Sequence, residues 1–253
     1  VRVVGDAAGA EEIARRFAHA PRLGLCCVLA PDDAMPGPLV GIAIAVAAIF
    51  AIVHGLEIFL RFDTPDWSLA RLTKDLPSQE ELGLSAPIPP AFLIFASSLI
   101  TLVLGVVLYG AIALPAEYAW RVFLPAALGT RNILARALIV GPLWAAWLAP
   151  LAFVPPGVVG PWQTIMRGIV IAILVSIVAE VVFARTGHLA LTAVLAGSFA
   201  SQCEVSIYYF LLGNRIEPIN GALGYIAIFV WSIIAFVVWK KFRTAARPVP
   251  AKL

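Results

Sequence analysis

Long apolar stretches alternate with short polar segments along most of the chain. Six of these stretches offer roughly 20 residues each, which at about 1.5 Å rise per residue crosses a hydrocarbon core of about 30 Å. Their approximate bounds are 38–60, 91–113, 133–153, 163–184, 188–211 and 221–240. Because lipid cannot satisfy the open edge of a sheet, segments of this kind are expected to be helices. The pattern therefore predicts an all-α, polytopic transmembrane helical bundle of about six spanning helices.

A shorter segment from Pro115 to Gly129 lies between the second and third stretches. It mixes charged Glu117 and Arg121 with aromatic and aliphatic residues, and Pro115 is favourable only in the first turn of a helix. We therefore expect one additional short helix that starts at the membrane surface.

The two ends of the chain differ from this apolar region. Residues 1–34 contain no stretch long enough to span a bilayer and are interpreted as a weakly structured N-terminal tail. The sequence begins with Val1, and Met35 directly precedes the first long stretch, which makes the tail a candidate start-site artefact. Residues 35–243 are predicted to form the membrane domain, and residues 244–253 a basic cytoplasmic tail.

Composition supports the bilayer as solvent. Hydrophobic residues make up 61% of the chain and charged residues 13%, whereas a soluble domain carries about 25% charge. The mean hydropathy is +0.94. A net charge of +3 is too small to indicate a nucleic-acid partner. The predicted partners are the lipid bilayer and a membrane-bound peptide or protein, and not nucleic acid.

Positive charge predicts the orientation. Of the 18 lysines and arginines, 13 would fall on the side of both termini, four would fall on the opposite side, and Arg167 would lie within a span. Since positive residues accumulate on the cytoplasmic side, both termini are predicted to be cytoplasmic in a multi-pass protein of the cell (inner) membrane.

Ionisable residues inside the apolar stretches are expensive, so each is expected to have a partner or a function. Glu117 and Arg121 are four residues apart, which places them on one helix face. Glu180, near the inner end of its span, is expected at the level of Arg121. Arg167 and Glu204 are expected at similar depths, and we interpret them as a structural ion pair.

His54 and Glu57 lie three residues apart near the outer end of the first span. They could ligate a metal, but two ligands without a third are weak grounds for a metal site. A histidine hydrogen-bonded to a neighbouring helix is the favoured interpretation. No metal is predicted from these residues.

Three segments resemble motifs of one membrane-protein family. Residues 116–124, AEYAWRVFL, resemble the motif Glu-Glu-x-x-x-Arg, which often continues Gly-Phe-Leu. Residues 143–151, LWAAWLAPL, resemble a second motif in which histidine follows an aromatic residue by four positions and precedes x-Pro. Residues 185–200 resemble the approach to a third motif, His-x-x-x-Asn. The family is CPBP (Abi), which includes type II CAAX prenyl endopeptidases and bacteriocin-processing enzymes.

The resemblance implies a membrane cavity, open to the cytoplasm, in which two glutamates and two histidines surround a water for peptide hydrolysis. This chain departs from that pattern at the first glutamate, both histidines and the asparagine, whose positions are occupied by Ala116, Leu148, Ala196 and Ala200. Only Glu117 and Arg121 remain, and the resemblance makes them vestigial catalytic residues. A divalent metal such as zinc is expected only if the site is active, so no cofactor is predicted.

Hydrolysis needs a base and a group that stabilises the oxyanion. Glu117 is a poor base because its own arginine stabilises the ionised carboxylate. His188 precedes Ala196 by eight residues, about 12 Å along a helix and about 80° around it, so it cannot replace the missing histidine. We therefore expect a membrane protein with little or no peptidase activity.

Two alternatives stay open at this point. One is an active intramembrane endopeptidase that uses Glu117, and the other is a small transporter or channel subunit. No internal inverted repeat is visible, which disfavours the transporter. The motif assignment also predicts that Glu117, Leu148 and Ala196 converge in one pocket on the cytoplasmic side.

Overall fold

The computed structural model describes residues 36–69, 89–130, 132–153, 161–204, 219 and 221–242. Within these segments the chain is helical and forms no strand, which confirms the predicted all-α class. The predicted N-terminal tail (1–34) and basic C-terminal tail (244–253) lie outside the described residues.

The described segments contain six main helices. They are α1 (Pro36–Phe59), α2 (Pro90–Leu128), α3 (Ile133–Leu148), α4 (Pro161–Thr186), α5 (Leu189–Glu204) and α6 (Tyr225–Phe242). A short 3-10 helix, Ala149–Phe153, continues α3. Each helix overlaps one of the predicted stretches, and α2 also includes the predicted short helix after the second stretch.

Four helices, α1, α2, α4 and α6, are long and apolar enough to cross a membrane. The α3 helix is apolar but has 16 residues, and α5 also has 16 described residues. The chain is thus a membrane protein by the length and composition of its helices, but fewer helices than the predicted six meet these criteria. The predicted span 188–211 continues beyond the described part of α5.

The α2 helix corrects one prediction. It runs without a break for 39 residues, so the separate span 91–113 and surface helix 115–129 are one element. Pro115 lies inside the helix, where its missing N–H and its ring disturb the preceding turn. Two π-helical turns, Gly105–Tyr109 and Ala119–Phe123, flank that position. Local π turns let a membrane helix tolerate proline, so the helix adjusts instead of ending.

The α5 helix is the centre of the bundle, and 12 of its 16 described residues are buried. It packs against α1, α2 and α4, while α3 and α6 pack against α4. The approach to α2 is close because Gly197 faces Gly110: a Cβ on Gly197 would lie 2.4 Å from the Gly110 nitrogen. Small residues commonly allow such close packing between membrane helices. Ser201 Oγ on α5 also donates to the Thr101 carbonyl of α2 at 2.6 Å.

A buried carboxylate ties α1 to the turn before α6. Glu57 Oε1 accepts from the Gly221 backbone N–H at 2.7 Å, and Glu57 Oε2 lies 2.7 Å from His54 Nδ1. Both side chains are buried. Thus His54 Nδ1 pairs with a residue of its own helix, and Glu57 also binds the turn before α6. A hydrogen bond from His54 to a neighbouring helix stays a prediction. The described residues contain no group of three or more potential His, Cys, Asp or Glu metal ligands.

Candidate functional site

A cavity of about 470 Å³ lies among α2, α3, α4 and α5, with Leu223 contributing from the segment before α6. Its volume is within the range of about 300–1,000 Å³ that is common for ligand sites. Most wall residues are aliphatic, aromatic or small, among them Ile112, Trp144, Ile171 and Phe199. The cavity therefore suits an apolar ligand better than a polar one.

The positions that the sequence resemblance assigned to the three motifs lie on this wall. They are Ala116 and Glu117 on α2, Leu148 at the end of α3, and Ala196 and Ala200 on α5. Glu117, Leu148 and Ala196 thus share one cavity, as predicted, and its position on the cytoplasmic side stays a prediction. These three positions are far apart in sequence, so only the packing of α2, α3 and α5 brings them together.

The cavity also extends beyond the predicted pocket. Its wall includes Thr164 in the first turn of α4, Glu204 at the described end of α5, and Leu223. These positions lie at the end of the bundle opposite to Arg121 and Arg136. The cavity is therefore not confined to the end that carries the motif charges.

Arg121 binds two glutamates at the end of the cavity where Glu117 lies. Its Nε donates to Glu117 Oε2 at 2.9 Å, and its Nη1 donates to Glu180 Oε1 at 2.9 Å. All three side chains are buried, with Glu117 only 2% exposed. The predicted placement of Glu117 and Arg121 on one face, level with Glu180, is confirmed. Arg121 lies in the second π turn of α2, and such turns are frequent at functional sites.

Arg136 on α3 completes this charge network, with Nη2 2.8 Å from Glu180 Oε2. Two arginines and two glutamates balance in charge and connect α2, α3 and α4. Arg136 was assigned only to the positive flank of a span. Arg136 lies four residues after Asn132, the N-cap of α3. It therefore lies about one helical turn inside the predicted span, at a depth similar to that of Arg121, and this similarity of depth could have indicated its place in the network.

This network limits the chemistry of the cavity. The Glu117 carboxylate is on the wall, but a guanidinium holds it at 2.9 Å. Neither His54 nor His188 lies on the wall, and the described wall residues include no imidazole. General base catalysis needs a proton acceptor within hydrogen-bond reach of the water. The carboxylates on the described wall are Glu117, which is ion-paired with the guanidinium, and Glu204, which accepts from Tyr109 at the other end of the cavity, away from the motif positions.

At the other end of the cavity, Tyr109 Oη donates to Glu204 Oε2 at 2.7 Å. Tyr109 ends the first π turn of α2, whereas Glu117, the charged residue of α2 on the wall, lies in the α-helical segment between the two π turns. Tyr109 was not identified from the sequence, although a phenol in an apolar stretch usually indicates a hidden partner. Arg167 Nε donates to the Gln163 carbonyl at 3.4 Å. The ion pair of Arg167 with Glu204 stays a prediction.

No family model matches the chain, and neither the curated proteins nor the solved structures yield a match. The CPBP resemblance therefore depends on the three sequence segments described above. The geometry of the cavity is an independent observation about the same positions.

Proposed function

We propose that this protein is a catalytically silent relative of the CPBP intramembrane endopeptidases, a multi-pass membrane protein whose cavity binds a partner without cleaving it. In this proposal α3 and α5 also span the bilayer, which gives six spans. Both termini lie in the cytoplasm, and the membrane is the cell (inner) membrane. Peptide hydrolysis is absent or very weak.

One observation carries the proposal. The four positions that the family motifs assign to hydrolytic groups surround a single cavity, and each holds an apolar side chain: Ala116, Leu148, Ala196 and Ala200. If the motif alignment were accidental, these positions would have no reason to share a wall with Glu117. Their convergence supports the alignment, and their side chains argue against hydrolysis because none can accept a proton or stabilise an oxyanion.

The surviving motif pair then has a structural role. Arg121 lies between Glu117 and Glu180, so the network holds α2 against α4. A buried ion pair is costly to break because removing one partner leaves an uncompensated charge. Retention of Glu117 and Arg121 thus requires no catalytic explanation.

The endopeptidase alternative requires Glu117 to leave Arg121 and activate a water. The transporter alternative requires a path through both ends of the bundle. The cavity does approach both ends, but the charge network of Glu117, Arg121 and Glu180 is buried at one of them. The silent-relative proposal requires neither the release of Glu117 from Arg121 nor a path through both ends of the bundle.

A gain-of-function experiment tests the proposal. The combined variant Ala116→Glu, Leu148→His, Ala196→His and Ala200→Asn restores the motif groups to the cavity wall. Membranes with this variant should cleave a peptide library, whereas wild-type membranes should match membranes from cells without the protein. Wild-type cleavage that disappears on Glu117→Gln would contradict the proposal.

A further inference from the structure

The cavity has a lateral opening between α2 and α3. The α2 helix packs on α5, and α3 packs on α4. Between α2 and α3, the rings of Trp120 and Trp147 meet edge to face with centroids 6.4 Å apart. Among the wall residues, Ile112 is 64% exposed, Trp147 58% and Leu148 43%. Because these residues belong to apolar helices, the opening faces hydrocarbon in the proposed arrangement in which α3 also spans the bilayer.

The shape of the cavity fits one extended chain. On α2 the wall runs from Tyr109 to Trp120, a rise of about 16 Å. The walls between these levels are apolar, with Trp144 and Ala196 on opposite sides. A single alkyl chain that enters from the bilayer can exchange its contacts with lipid for contacts with these apolar walls.

Charge on the wall indicates the head group. The only charged residues on the described wall are two glutamates, Glu117 and Glu204. Glu117 is compensated by Arg121 at 2.9 Å. Glu204 is exposed, and its carboxylate accepts from the Tyr109 hydroxyl. The wall at this end therefore presents a carboxylate and an aromatic ring, both of which attract a cation. In this inference the bound cation takes the place at Glu204 that the sequence predicted for Arg167.

We propose that the cavity binds a single-chain cationic amphiphile, whose alkyl chain enters between α2 and α3 and whose ammonium head lies beside Glu204 and Tyr109. The inference deepens the proposed function, on which it rests for the idea of a ligand that is held uncleaved. The gap between α2 and α3 beside the contacting rings of Trp120 and Trp147, where apolar side chains of the wall are exposed, supplies the route. The carboxylate of Glu204 supplies the specificity.

Tryptophan fluorescence offers a direct test, since Trp120, Trp144 and Trp147 lie on the wall. The purified full chain in mild detergent is titrated with bromine-tipped dodecyltrimethylammonium and with bromine-tipped dodecanoate, which quench nearby indoles. The cation should quench saturably with a Kd roughly tenfold below that of the anion. Glu204→Gln should remove most of that difference.

A matched pair of glycine variants separates the cavity from the micelle. A Cβ on Gly168 or on Gly55 would meet no atom within 4 Å. Gly168 is on the cavity wall, whereas Gly55 is on the exposed side of α1. Gly168→Leu should abolish the saturable quenching by filling the cavity, and Gly55→Leu should leave it unchanged.

Equal quenching in wild type and Gly168→Leu would overturn the inference, as would tighter binding of the anion or an unaltered preference in Glu204→Gln. The proposed function has a separate outcome. Peptide cleavage together with cation binding would refute only the silent-relative proposal, and absence of both would refute only the ligand assignment.

Discussion

Arg121 is the residue on which the buried polar network depends. It touches Glu117 in its own helix and Glu180 in α4, and it is 2% exposed. The sequence predicted this arrangement because charged residues in apolar stretches must find partners at the same depth. Arg136 and Tyr109 were missed because the requirement for a partner is weaker for a charge at the end of a span and for a neutral hydroxyl than for a charge deep in an apolar stretch. The partners of individual side chains are thus predictable from the sequence where burial of an unpaired charge would be most costly.

Removal of Arg121 should destabilise the protein strongly. Arg121→Met leaves two carboxylates buried without their shared cation, and losses of about 3–5 kcal/mol are typical for one broken partner. The measurement is the free energy of unfolding in mixed micelles. The double variant Arg121→Met with Glu117→Met should recover part of the loss because it removes charge of both signs. A single variant as stable as wild type would contradict the network.

At the scale of the element, α2 shows where pattern reasoning fails. Pro115 suggested a helix start, yet the helix continues through it, with π turns at Gly105–Tyr109 and Ala119–Phe123. The hydrophobic pattern cannot distinguish a proline in the first turn of a helix from a proline inside a helix that neighbouring π turns accommodate. The bounds of the other helices were predictable because long apolar stretches leave little choice of structure.

Close packing of α2 and α5 gives an element-scale prediction. Gly197→Ala places a methyl group 2.4 Å from the Gly110 nitrogen, so the helices must separate. Overpacking of this kind costs about 1–3 kcal/mol. The measurement is the midpoint of thermal unfolding in detergent, with Gly55→Ala as control because its Cβ meets nothing within 4 Å. Equal midpoints for the two variants would show that α2 and α5 are not in contact.

For the whole molecule, the fold class and the order of helices followed from the hydrophobic pattern alone. The count of spans did not, because α3 has 16 residues and length by itself cannot place it across a bilayer. The cavity was foreseen through the motif positions, but its extent towards Glu204 depends on how α2, α4 and α5 diverge. Such packing is a property of the assembled bundle, which no local segment encodes.

Six spans predict a definite pattern of labelling. In a background with Cys26, Cys27 and Cys203 replaced by serine, single cysteines are introduced as Thr130→Cys, Thr186→Cys and Ser68→Cys. The first two should react with an impermeant maleimide only after cell lysis, because their loops face the cytoplasm. Ser68→Cys should react in intact cells. Labelling of Thr186→Cys in intact cells, with Thr130→Cys protected, would show that α3 does not cross and would exclude the six-span topology.

The most direct test of the central claim is the rate of peptide hydrolysis by the purified wild-type protein in lipid nanodiscs, beside Glu117→Gln. Both preparations should match the buffer blank, since Glu117 is held by Arg121 and the surrounding motif positions are apolar. A wild-type rate above the blank that falls to it on Glu117→Gln would contradict the account.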